Sequence, residues 1–426
     1  MLDIKFIRAH PDVVRAGAAK KRIACDIDKI LALDREWREM TVEVDSLRQE
    51  QKNASKLIGA AAPADRPRLA EEQKQKKELL KQREAAVEVH YKALHELLLR
   101  VPNVPAEEVP EGKDDSENVE IKRFGTPRTF DFEARDHIAI GEAQGWLDVL
   151  AGARIAGSRN YFLKGDLSLL EGAVMRYALD LMVKKGFMPL SVPTLVRSEI
   201  MVGTGYFPGG EDQAYRCDER DDLCLVGTSE VPVTALHQDE IMNAADLPKR
   251  YVAQSSCYRR EAGTYGKDTR GLYRVHQFQK VEQVIVDVAD AERSLAHHHA
   301  IVANAEEVLQ ALELPYRIVN VCGGDLGQPQ IQKFDIETWM PSRGNYGETH
   351  SASRFHDFQA RRLNMRYRTA EGTVHVCHTL NNTVAASVRM LIALLENHQR
   401  RDGTVYLPPA LRPYMGGREA IGRPIA

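Results

Sequence analysis

The sequence predicts an α+β protein in which an antiparallel coiled-coil hairpin precedes a larger domain of strands and helices. Three observations predict it. Apolar residues recur at spacings of three and four over two long N-terminal stretches, separated by a break that begins at Gly59 and holds Pro63 and Pro67. From about Glu120, short strand-like runs alternate with helical ones, without a regular βαβ rhythm or an internal repeat. Within that part, the residues around Cys257 and Glu282 form two strand-like runs joined by a long polar loop.

Ile30, Leu33, Trp37, Met40, Val44, Leu47, Ala54 and Leu57 make an a/d seam with one polar interruption at Gln51. Gly59 to Pro67 breaks it, and a second helical run from about Leu69 to Arg100 carries Leu80, Val87, Leu94 and Leu97. Ten basic and five acidic residues between Arg48 and Arg83 give the outer half of this hairpin a formal charge of +5. Such a tip is either a solvated or protein-docking surface, or an arm that grips an RNA phosphate backbone; charge alone leaves both open. The prolines of Val101–Pro105 then stop the helix. The expected divisions are an N-terminal domain over 1–104, a linker over 105–119 and a larger domain over 120–426.

Composition narrows the classes. The net charge of −3 over 426 residues announces no nucleic-acid partner globally, so any such site is a local patch. Met1–His10 mixes charges into its apolar run, unlike a secretory or transit peptide, and no stretch is apolar for long enough to span a bilayer; a cytoplasmic protein is expected. The six cysteines are scattered without a C-x-x-C pair, which suggests reduced thiols; Cys217 and Cys224 fit no standard zinc spacing and read as packing residues. His297, His298 and His299 point different ways around a helix and read as solvated. No glycine-rich phosphate loop is present, so an ATP user built on this chain must hold phosphates with arginines and metal.

Several later segments carry chemistry. Met175–Gly186 reads as an amphipathic helix, followed by the strand-like Phe187–Leu195, where Pro189 and Pro193 argue for an edge or a bulge. Thr228 and Glu230 could bind an ammonium-bearing substrate, or Thr228 could cap a turn. Alternation along the second strand-like run puts Arg274, His276, Phe278, Lys280 and Glu282 on one face, with Tyr273, Val275, Val281 and Ile285 on the other. An aromatic among so many charges suits a nucleotide. Arg259 could equally form a structural ion pair with Glu261 or Glu282. The loop Ala262–Gly271 holds Gly263, Gly266, Lys267 and Arg270 and is too long for a tight hairpin. Glu348 and Ser351 are the residue types that suit a magnesium on phosphates. Val374–Leu380 reads as a buried strand and Thr383–Gln399 as a helix that Asn382 or Thr383 could cap.

Arg259-Arg-Glu261, the basic loop and Arg274-Val-His-Gln-Phe278 resemble the second signature of class II aminoacyl-tRNA synthetases, in the wording of the seryl-tRNA synthetase family. Leu225–Pro232, Glu348–Ser351, Asp357–Arg362 and Leu411–Gly417 resemble that family too, in the same order along the chain. The resemblance implies an antiparallel β-sheet catalytic domain flanked by helices. It also implies activation of L-serine by ATP and Mg²⁺, transfer to tRNA(Ser) and, where present, tRNA(Sec), and a homodimer joined through the first signature, to which Pro193 belongs. For ATP it implies Arg259, Arg260, Glu261, Arg274, Val275, Phe278, Glu348, Thr349, His350, Ser351 and Arg389, with Phe278 and Arg389 sandwiching adenine. For serine it implies Thr228, Ser229, Glu230, Glu282 and Thr383. Arg259, Glu348 and Arg389 would be catalytic, and Glu348 and Ser351 would hold the metal. Ser229 stands where alanine is frequent, Asn381-Asn-Thr383 replaces the usual Asn-Gly-Ser, and Val388 is a further departure. The rivals are an amino acid:carrier-protein ligase, which would lack the helical arm, and an inactive RNA-binding homologue. A pathway- or resistance-specific duplicate would share the same chemistry.

Overall fold

The computed structural model describes residues 1–60, 62–218, 220–263 and 271–424, so Gly266, Lys267 and Arg270 lie outside the described residues. The chain divides into two compact units, Met1–Ala19 with Ile23–Val104, and Lys20–Arg22 with Pro105–Ala426.

In the first unit, short helices α1 (Ile4–Ala9) and α2 (Pro11–Lys20) precede the long pair α3 (Ile27–Ala60) and α4 (Arg66–Leu98). Trp37 meets Tyr91, Glu43 pairs with Arg83 and Glu50 with Lys76. As one number rises its partner falls, so the pair is an antiparallel hairpin. Pro67 opens α4 in its first turn, where its missing N–H removes no helical hydrogen bond. Ile7, Val14, Ile30, Leu94, Leu98 and Val101 bury a small core at the hairpin base.

The second unit is built on one sheet. Its strands are β1 (Val119–Phe124), β2 (Met188–Leu190), β3 (Lys249–Tyr258), β4 (Gln277–Asp287), β5 (Tyr316–Asn320), β6 (Gln332–Met340), β7 (Asn345–His356) and β8 (His378–Ala386). They lie in the order β1-β5-β6-β7-β8-β4-β3-β2, antiparallel except where β2 joins β3. Apolar residues of α5 (Asp166–Lys184), α7 (Ala291–Ala311) and α8 (Ser387–His398) form the main core with Val281, Ile285, Phe334, Ile336, Leu380 and Val384 of the sheet. α6 (Glu230–Thr234) is a single turn. Among the described residues, no helix is long and apolar enough to cross a membrane.

Five expectations change. Val374–Leu380 is not one buried strand: Val374–Val376 is a largely exposed strand of a separate three-stranded sheet, and β8 begins at His378. The segment after Pro105 is packed rather than a loose linker: Ala106 donates to the Ile331 carbonyl, and Gly323 to that of Pro110. Phe187–Leu195 is not one strand; Met188–Leu190 is the edge of the large sheet, while Leu195–Arg197 joins a separate three-stranded one. Asn382 and Thr383 cap nothing, because β8 runs through them to Ala386 and α8 starts at Ser387. His298 is buried, stacks on Phe334 and meets the Ala352 carbonyl through Nε2; burial drives its pKa down to about 3, so it is a neutral core residue.

Candidate active site

The face of the sheet opposite the main core carries a polar cavity, lined from β4, β6, β7, β8 and the start of α8. Period two brings Phe278, Lys280 and Glu282 of β4 onto it together. A bulge between Val281 and Glu282 in the pairing of β4 with β8 sets Thr383 opposite Glu282. Thr383 Oγ1 donates to Glu282 Oε2 at 3.1 Å, and Lys280 Nζ lies 2.6 Å from the same oxygen. On β7, Glu348 and Ser351 are three apart in sequence. Thr349 is the extra residue of a second bulge, so the two pair with Glu337 and Asp335, which are two apart on β6. That parity puts both on the cavity.

Two charge systems occupy the cavity. At one end Glu230 is buried, with Tyr206 donating to one oxygen at 3.2 Å and Gln359 to the other at 2.8 Å. Burial and the neighbouring charge of Glu282 raise its pKa to about 7, against the opposing pull of Gln359, Lys280 and Tyr206. At the other end Arg389 reaches the Glu348 carboxylate at 3.3 Å and its carbonyl at 2.8 Å. Burial acts to raise the pKa of Glu348, but Arg389, Lys333 and Arg259 outweigh it and hold the group below its usual range. Asp335, buried beside Glu348, is raised by burial despite Lys333 at 3.2 Å.

Arg259 follows the last residue of β3, donates from Nε to the Gly227 carbonyl at 3.3 Å and places its guanidinium 5.4 Å from the centre of the Phe278 ring. The Arg389 guanidinium lies 4.6 Å from the centre of the Tyr273 ring. Glu261, with φ +51°, lines the cavity and pairs with Arg274 at 3.1 Å.

The remaining sequence candidates divide. Val275 lines the cavity but Arg274 and His276 do not, because β4 begins only at Gln277 and the bent chain before it breaks the alternation; Tyr273 is there instead. Arg260 is exposed. Thr228 and Ser229 are buried off the cavity; the Thr228 hydroxyl accepts from the Glu230 N–H, and Ser229 donates to the Ala253 carbonyl at 3.4 Å. Thr349 and His350 reach the wall, but their polar atoms serve the sheet: Thr349 bonds Thr338 and His350 Nδ1, while His350 Nε2 meets the Val384 carbonyl. Burial lowers the His350 pKa to about 4. Tyr206, Lys333, Asp335 and Gln359 were not singled out from sequence. Lys333 and Asp335 were legible, with Glu337, as one face of a strand, whereas Tyr206 and Gln359 arrive from distant loops and helices.

The donor set fits a small hard cation. Glu348 is half-exposed into the cavity, Ser351 hydrogen-bonds Asp335, and Asp335 Oδ1 is buried without a hydrogen-bond partner among the described residues. Magnesium needs only one or two carboxylates when phosphates complete its shell.

Residues 1–105 match the family model of the seryl-tRNA synthetase N-terminal domain, and residues 215–398 that of the tRNA synthetase class II core domain (G, H, P, S and T). The chain is 48% identical to a serine–tRNA ligase of Deinococcus radiodurans over 100% of both chains. It is 42% identical to one of Rubrobacter xylanophilus over 99% of both. Among solved structures it is similar to a seryl-tRNA synthetase of Pyrococcus horikoshii complexed with ATP, with a TM-score of 0.91, 38% identity and 100% of both chains covered.

Proposed function

The chain belongs to the seryl-tRNA synthetase family, and from that premise we propose that it activates L-serine with ATP and transfers the seryl group to the 3′ end of a tRNA. The observation that carries this reading is the pair of buried carboxylates, Glu230 and Glu282, in a cavity whose remaining wall presents Arg259, Lys333 and Arg389. Lys280 already offsets part of the charge on Glu282, and an amino-acid ammonium adds to it between the two carboxylates, while the arginines and Lys333 match the phosphates.

Serine seats its ammonium between Glu230 and Glu282 and its hydroxyl against Glu282 and Thr383. A pocket built to bond a hydroxyl rejects alanine strongly, because its polar atoms are left unpaired. The serine carboxylate attacks the α-phosphorus; its oxygen bonds to phosphorus as the bond to the bridging oxygen breaks, and pyrophosphate leaves with that electron pair. Arg259 stabilises the charge that develops on the α-phosphate. Adenine stacks between Phe278 and the face of Arg389 turned away from Tyr273, which requires Arg259 to leave the Phe278 ring. Glu348 and Ser351 would hold magnesium, which would neutralise phosphate charge. The protein contributes position and charge, with no covalent intermediate.

The basic tip of α3 and α4 grips tRNA(Ser), and tRNA(Sec) where it exists, through the phosphate backbone. The enzyme works as a cytoplasmic homodimer. Serine attachment to deacylated total tRNA, run beside serine-dependent ATP–pyrophosphate exchange, tests the reading. Incorporation that saturates at the serine-acceptor fraction supports it. Exchange without charging would transfer the assignment to a carrier-protein ligase, against which the helical arm argues.

A further inference from the structure

Lys21 follows α2 in a turn and is only 2% exposed. Its ammonium donates to the carbonyls of Gly327 and Gln328, each at 3.0 Å, and to that of Gln330. Three acceptors around one nitrogen use all three N–H bonds of a charged lysine; a neutral amine has only two. Burial pushes the ammonium towards losing its proton, and the three carbonyls favour keeping it. Carbonyls brought together this way repel one another, so the shape of the loop 327–330 depends on the cation between them.

The loop is part of the cavity wall. Gln330 lines the cavity, and its Nε2 donates to Ser353 Oγ at 3.4 Å. Ser353 stands opposite Asn381 in the pairing of β7 with β8, two residues from Thr383. Gln330 therefore borders the end that holds Glu282 and Thr383. The fit is tight: a Cβ at Gly327 would strike Gln330 Oε1, and one at Gly205 would come within 3.1 Å of Pro329. Gly205 follows Thr204, whose carbonyl accepts from the same Gln359 amide that holds Glu230.

We propose that Lys21 is a positioning residue for the amino-acid end of the cavity: clamped by the carbonyls of Gly327, Gln328 and Gln330, it holds this loop so that Gln330 closes the wall beside Ser353. The inference rests on the serine-activating function proposed above. It assigns to a residue far upstream of the sheet a share in how tightly the amino acid is held.

Serine-dependent ATP–pyrophosphate exchange with the full chain is the test. Lys21→Met keeps the stem and removes the cation; it should raise the serine KM on the order of tenfold, the loss of about one buried hydrogen bond, with the ATP KM little changed. Gln330→Ala should do the same, and the double variant should be no worse than the more affected single one. Parallel rises in both KM values, additive effects, or a lowered Tm with an unaltered serine KM would overturn the proposal. If Lys21→Met does not fold, Gly327→Ala replaces it: it should raise the serine KM, and adding Gln330→Ala should relieve the clash without a further rise. An unaltered serine KM there would equally sink the idea. An unsubstituted chain without serine-dependent exchange would instead refute the proposed function.

Discussion

Glu230 is buried close to a second carboxylate, and that position makes it a proton-binding site near neutrality. The sign of the effect on binding follows directly. Above about pH 7 the group is charged and attracts an ammonium; below, it is protonated and the attraction fades. Serine KM should therefore fall as pH rises through 7, with an affinity about tenfold weaker one unit below that pKa. Glu230→Gln should bind serine weakly and flatten the profile. An unchanged profile in that variant would assign the titration to another group. Arg259 makes a different kind of contribution, because its charge matters most when the phosphate is under attack. Arg259→Ala should lower exchange by roughly 10²–10³-fold while near-normal thermal stability shows an intact fold. Near-normal exchange would remove Arg259 from the reaction. Thr383→Val keeps volume and loses the donor to Glu282, so serine should lose affinity while ATP does not.

Among the elements, the regular ones were legible and the irregular ones were not. The hairpin, with its three-four periodicity broken only at Gln51, was readable almost to its ends, as was the cavity face of β4 from Phe278 to Glu282. The chain before Gln277 was not, because alternation holds only while the backbone is extended, and Arg274 and His276 consequently fall outside the cavity. Both bulges shift parity by one residue, which is why Thr383 faces Glu282 and why Glu348 and Ser351 can act together. Thr228 turned to its own backbone, accepting from the Glu230 N–H two residues on, the local alternative always open to threonine. The distal hairpin has its own consequence. Between Arg48 and Arg83, Leu80 is the only buried hydrophobic side chain among the described residues, so little holds that tip except the partner helix. Removing Arg48–Arg83 with a short turn in place should leave exchange within about twofold, yet reduce tRNA charging a hundredfold or more if the arm supplies several phosphate contacts. Raised salt should weaken charging by the intact chain and leave exchange nearly untouched. Unchanged charging kinetics in the shortened chain would show that the arm serves another purpose.

For the molecule as a whole, the catalytic unit carries apolar side chains that its own core does not cover. Leu150 and Ile155 are 80% and 71% exposed on one short helix, and Phe162, Leu169, Met188 and Leu195 stand out from the following elements. Scattered singly, such residues would need no account; in the proposed homodimer they are the side chains that a second copy would cover. The sheet edge nearby argues about how it is covered. β2 ends the sheet, and Pro189 in its middle offers no N–H to a further strand. Continuing the sheet into a second copy is therefore disfavoured, and side-chain packing around β2 is left as the means of association. Sedimentation should find a dimer at micromolar concentration. Leu150→Glu with Ile155→Glu, both strongly exposed in this chain, should yield a folded monomer whose exchange activity is largely lost. A fully active monomer would sever dimerisation from catalysis, while a dimer that survives both substitutions would move the interface to another face.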